Sequence, residues 1–153
     1  MRKPLTAAAS MAAALSLAVP ATAAARQDHV DRAIADYINA IRQTHGLQPL
    51  RFDGRLHRAA TAHSSDMAAH NTLTHSPSLY GRLMGGRAHA ARVVGETLAW
   101  MPRGTRRLAH RTVIAWMHSP PHRAALLDAR FHRIGVGRQR ATSGTFVTAD
   151  LSS

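Results

Sequence analysis

Three side chains stand apart by residue type and setting: His75 in a loop-like stretch, Glu96 beside Gly95, and His122 just after Pro120 and Pro121. Imidazoles and a carboxylate are the groups that move protons or ligate metals near neutral pH. Glu96 is the only glutamate in the chain, whereas His75 and His122 are two of eleven histidines. No His-Glu-x-x-His run and no Gly-x-Ser-x-Gly run occurs, so neither a zincin helix nor a nucleophile elbow is encoded. With no cysteine, thiolate zinc sites and disulfides are excluded as well.

These residues must be held by the elements around them. Trp116 to Leu127 encodes a helix end, a forced turn and a new helix start, with Ser119 as the expected N-cap, Pro120 at the first helical position and His122 in the first turn. Upstream, Val30, Ile34, Tyr37, Ile38 and Ile41 form the apolar stripe of a helix over 28–45, closed by Gly46. Residues 48–52 read as an extended connector, and Asp53 opens a second helix with Leu56, Ala60, His63 and Met67 on one face. His63 is expected to be a structural histidine, hydrogen-bonded to a neighbouring backbone group, and Ser64 and Asp66 packing or capping partners. His75 falls in the loop 72–77, and a short helix is expected over 78–84. Residues 92–100 read as an irregular strand with a close approach at Gly95, and 105–118 as a further helix. Residues 131–137 and 145–151, joined across 141–144, read as a β-hairpin. Helices first and sheet later give the α+β class.

Met1-Arg-Lys3, the apolar run from Leu5 to Val19 and the small residues Ala21 to Ala25 together read as a secretory signal peptide over 1–25. The remainder, 26–153, is expected to be one domain of about 128 residues, large enough to bury a single core. Its expected location is outside the cell or in the cell-envelope space, with no transmembrane segment and a monomeric state. The formal net charge is +12, and the 26–153 segment keeps eighteen arginines against eight acidic residues. The arginines are dispersed and not interleaved with aromatics, so specific nucleic-acid binding is not expected.

Five short runs fall in a shared order: Thr61-Ala-His-Ser-Ser-Asp-Met-Ala68, Thr74-His-Ser-Pro77, Gly95-Glu-Thr97, Trp116-Met-His-Ser-Pro-Pro-His-Arg123 and Ile134-Gly-Val-Gly137. In this the chain resembles bacterial members of the CAP superfamily, named for cysteine-rich secretory proteins, antigen 5 and plant pathogenesis-related proteins and also called SCP. The resemblance spans about residues 30–152. It implies a three-layer α-β-α sandwich with a central antiparallel sheet, and a cleft shared by His75, Glu96, Ser119 and His122. It also implies that His75 and His122 are the pair able to hold Zn²⁺ or another divalent ion, with Glu96 as ligand or orienter. Departures are Thr97 for the usual Asn, Pro121 for the Gly before the histidine, and Ala125 for an Asn. Ser119 stands where eukaryotic members place a second glutamate, leaving Asp150 as the nameable second carboxylate.

Three function classes follow. The first is a non-enzymatic extracellular binding or effector module recognising an extracellular or cell-envelope ligand. The second is a metal-assisted hydrolase of peptide or ester bonds with Glu96 as general base. The third is a basic polyanion or envelope binder that uses no cleft.

Overall fold

The computed structural model describes residues 21–77, 81 and 93–153, with side chains from residue 28 onward. Residues 1–20 of the expected signal peptide, and all but Gly81 of the helix expected over 78–84, lie outside the described residues.

Helix α1 (Ala21–Thr44) ends in a paired turn, Gly46 N–H to Gln43 O and Leu47 N–H to Arg42 O, each 3.0 Å. Its stripe buries Ile34 and Ile38, but Tyr37 is 44% exposed and lies edge-on to His110. After β1 (Arg51–Phe52), Asp53 caps α2 (Gly54–His70) through Oδ1, which accepts from Arg55 N (2.8 Å) and Leu56 N (3.2 Å). The buried α2 residues are Leu56, Ala60, His63, Ser64 and Met67, the expected stripe plus one serine. Strand β2 (Val94–Pro102) follows, then α3 (Leu108–His118), α4 (Pro120–Leu126), β3 (Arg133–Arg140) and β4 (Gly144–Ser152).

The sheet runs β1-β3-β4-β2. The β3–β4 and β4–β2 pairs are antiparallel, and the expected antiparallel core is present. The two residues of β1 pair parallel to β3 and make the sheet mixed. Every residue of β4 is buried, which requires cover on both faces. On one face Val147, Ala149 and Leu151 join Ile134, Val136, Ile34, Ile38, Val113, Trp116 and Leu126 in the main core. On the other, Phe146 packs with Leu98 and with Met67 of α2. This gives the α-β-α layering, with α1, α3 and α4 opposite α2.

α2 lies close enough to β3 that side chains there would collide with helix backbone. A Cβ on Gly137 would sit 2.1 Å from Thr61 N, and one on Gly135 2.1 Å from His57 N. Ser64 fixes the same contact by donating to Gly137 O at 3.0 Å, and its hydroxyl meets Thr148 Oγ1 at 2.9 Å.

A second tie sets the other layer. Arg42, 1% exposed in the last turn of α1, donates to Gln48 O (2.9 Å), Leu126 O (2.8 Å), Asp128 O (3.1 Å) and Phe131 O (3.3 Å). One guanidinium thus satisfies carbonyls at the end of α4 and in the chain leading to β3.

Candidate functional site

Glu96 lies on β2, and its register partner on β4 is Asp150, which in turn pairs with Gly135 of β3. Alternation along β2 puts Glu96 on the same face as Leu98, the face covered by α2. There its side chain is 1% exposed. Oε1 accepts the Ser76 backbone N–H at 3.1 Å and lies 2.9 Å from His75 Nδ1. Because Oε1 acts as an acceptor, His75 Nδ1 is the donor, and its Nε2 keeps the lone pair. Oε2 lies 3.6 Å from His63 Nε2, whose hydrogen reaches Thr74 O at 3.0 Å. The carboxylate therefore clamps the 72–77 loop against α2.

The clamp depends on how α2 ends. Asn71 adopts the left-handed conformation (φ 49°), its N–H and that of Thr72 close on the last α2 carbonyls, and the chain doubles back past His63. The His75 side chain is left 63% exposed at the rim of a hollow of about 280 Å³, bordered also by His63, Asp66, Thr74 and Pro77.

His122 is half-buried in the first turn of α4. Burial, and next the charge of His75, hold its imidazole below the usual histidine range. His122 is thus kept neutral with a free lone pair at neutral pH, and the two rings are within electrostatic reach of one another. Ser119 does occupy the N-cap position in extended backbone, but its hydroxyl forms no capping bond. Pro121 at the second helical position has no N–H to offer it, and the Ser119 backbone carbonyl accepts the first helical bond from Arg123 N–H at 2.8 Å. Trp116, 1% exposed, anchors the preceding helix by donating Nε1–H to Leu98 O at 2.8 Å.

The sheet thus joins His75 directly to Glu96 and sets Asp150, fully buried, beside it as the second carboxyl. Two imidazoles, that of His75 oriented by the Glu96 carboxylate at Nδ1, suit a two-histidine hold on a divalent ion. Among the described residues, however, a cluster of three ligating groups within 4.8 Å of one another occurs elsewhere, at Asp28, Asp31 and His57. Only the placement of Asp28 and Asp31 one helical turn apart is visible in the sequence; their approach to His57 is not. His63 has the backbone bond expected of it and also faces the Glu96 carboxylate, a contact its place on the α2 stripe could have suggested.

Residues 35–151 match the CAP family, described as the cysteine-rich secretory protein family. Among curated relatives, YkwD of Bacillus subtilis (strain 168) is 34% identical over 110 residues, 70% of this chain and 41% of that protein. The membrane protein YlbC of the same organism is 32% identical over 114 residues, 72% of this chain and 32% of its own length. The chain therefore spans well under half of either relative. Among solved structures, an extracellular SCP-domain protein of Bacillus anthracis superposes with TM-score 0.69 at 28% identity, covering 89% of this chain and 44% of that one. An outer surface protein of Borrelia burgdorferi, at 22% identity, shares the fold with TM-score 0.70 over 82% of this chain and 92% of its own. With the α-β-α layers, the clamped loop histidine and the sheet carboxylate in place, the chain belongs to the CAP family as a bacterial SCP domain.

Proposed function

We propose that this is a secreted, non-enzymatic SCP domain whose cleft, built from His75, Glu96 and His122, binds a ligand outside the cell or at its envelope. The observation that carries this reading is the commitment of Glu96. One carboxylate oxygen takes the Ser76 amide and His75, the other faces His63, and the side chain is 1% exposed. A general base needs a lone pair within reach of an incoming water, and this one is spent on holding a loop. The exposed part of the site is instead the Nε2 side of His75, with neutral His122 within electrostatic reach, an arrangement suited to recognition by hydrogen bonding or through a bound ion. A divalent ion held by His75 and His122 would supply positive charge for a ligand oxygen. Secretion is supported by the signal-like N-terminal run and by the structural relative described as an extracellular protein.

A basic-surface reading has one observation of its own, a hollow of about 790 Å³ bordered by Arg103, Arg106 and Arg140. It predicts binding to an anionic polymer such as heparin that collapses between 50 and 200 mM salt, to an extent set by the number of phosphates or sulfates neutralised, and is indifferent to His122→Ala. The cleft reading is tested by incubating purified protein with casein and with p-nitrophenyl acetate, with and without Zn²⁺. No zinc-dependent rate separating wild type from His122→Ala is expected. A zinc-dependent rate lost in both His122→Ala and Glu96→Gln would establish the hydrolase instead.

A further inference from the structure

The cluster at Asp28, Asp31 and His57 has its own construction, separate from the cleft. Asp28 and Asp31 lie one turn apart on α1, and His57 is in the first turn of α2, where β1 has ended and β3 presents a free edge. His57 Nδ1 lies 2.5 Å from the Val136 carbonyl oxygen. A carbonyl can only accept, so Nδ1 carries the hydrogen and the Nε2 lone pair points the other way. Nε2 lies 3.6 Å from Asp28 Oδ1. Lone pair and carboxylate oxygen are both acceptors, and they attract one another only across a proton or a cation. Asp31 adds a second carboxylate: it is fully buried, and while Oδ1 is ion-paired with Arg138 Nε at 2.9 Å, Oδ2 has no hydrogen-bond partner among the described residues. Two of the eight acidic residues of a strongly basic protein converge here.

We propose that Asp28, Asp31 and His57 form a second metal site, which takes a divalent transition ion of the Zn²⁺ class and staples the start of α1 to α2 and the β3 edge. The dimensions fit. Two ligands on a tetrahedral ion with bonds near 2.1 Å are about 3.4 Å apart, close to the Nε2–Oδ1 separation. All three ligand atoms already lie within 4.8 Å of one another, so small side-chain rotations close the set. The backbone carbonyl behind Nδ1 is the usual orienting partner of a metal-bound imidazole. Asp28, with its side chain 60% exposed, leaves the remaining positions open to water, and Arg138 balances part of the carboxylate charge. The result would be an ion with a structural role, bound in the first turn of α2, nearly two turns before His63.

The test uses Zn²⁺ alone on chelator-washed protein in a His75→Ala/His122→Ala background, which removes the cleft pair and keeps the two readings distinguishable. Calorimetric titration is expected to give one bound Zn²⁺ per chain. Thermal denaturation at a hundredfold excess over Kd is expected to rise by about 5–10 °C. Asp28→Asn, at an exposed position that leaves the fold intact, is expected to weaken binding at least tenfold, and His57→Gln likewise. Absence of Zn²⁺ binding in this background, or binding unchanged by Asp28→Asn, overturns the proposal.

Discussion

Replacing Arg42 with methionine removes the guanidinium while keeping most of the buried volume. Of its four carbonyl partners, those of Leu126 and Phe131 are bonded in fully buried contacts, and those of Gln48 and Asp128 are partly accessible. Two carbonyls left without a donor away from water cost about 1–3 kcal/mol each, and water can replace the donor at the other two. Relief from burying a cation offsets part of this. The net loss is about 3–4 kcal/mol, a large share of the roughly 5–15 kcal/mol typical of a domain. At about 2–4 °C per kcal/mol for a chain of this size, the Tm falls by about 6–16 °C in circular dichroism melts. Arg42→Lys recovers only part, because one ammonium cannot span four carbonyls from one position. Amide exchange should quicken first between Leu126 and Phe131. A loss below about 1 kcal/mol, as for a surface residue, would refute the tie as described.

Gly137→Ala drives a methyl group toward Thr61 N, 2.1 Å away in the present geometry, and should cost about 1–3 kcal/mol by urea denaturation. It should also loosen the middle of α2, which carries His63. Trp116→Phe strands the Leu98 carbonyl and should cost about 1–3 kcal/mol, with the effect read by the same melts. His122 has a folded-state pKa below the ordinary histidine value of 6.5, so the unfolded chain binds more protons in acid. Its contribution to stability is therefore present above pH 6.5 and is lost as pH falls below that value. His122→Gln should flatten the dependence of the urea midpoint on pH between about pH 5 and pH 7.5 relative to wild type.

Where the sequence carried a local signal, it placed the elements well. The α2 stripe and its Asp53 cap are periodic and short-range, as is the β3–β4 hairpin across 141–143, and all three form as expected. The close approach expected at Gly95 is also present, since a Cβ there would lie 2.8 Å from Phe131 Cζ. What escaped depends on pairing between distant residues. β1 is two residues long and gains its strand character only from Arg133 and Ile134. Arg42 continues the Ile34–Ile38 spacing, yet its partners lie up to 89 residues away. Asp150 could be named from composition, but only strand register places it beside Glu96. The Ser119 cap failed for a reason that was legible, since two consecutive prolines leave the first helical turn short of N–H groups.

The central claim is that Glu96 is a clamp and that the clamp aims His75 Nε2 outward. Nitrogen NMR of the His75 ring, recorded on wild type in mildly alkaline buffer, tests it most directly. The account predicts a hydrogen on Nδ1 and a lone pair on Nε2, with that preference lost in Glu96→Ala. A His75 ring carrying its hydrogen on Nε2 in wild type, unchanged by the substitution, would contradict it.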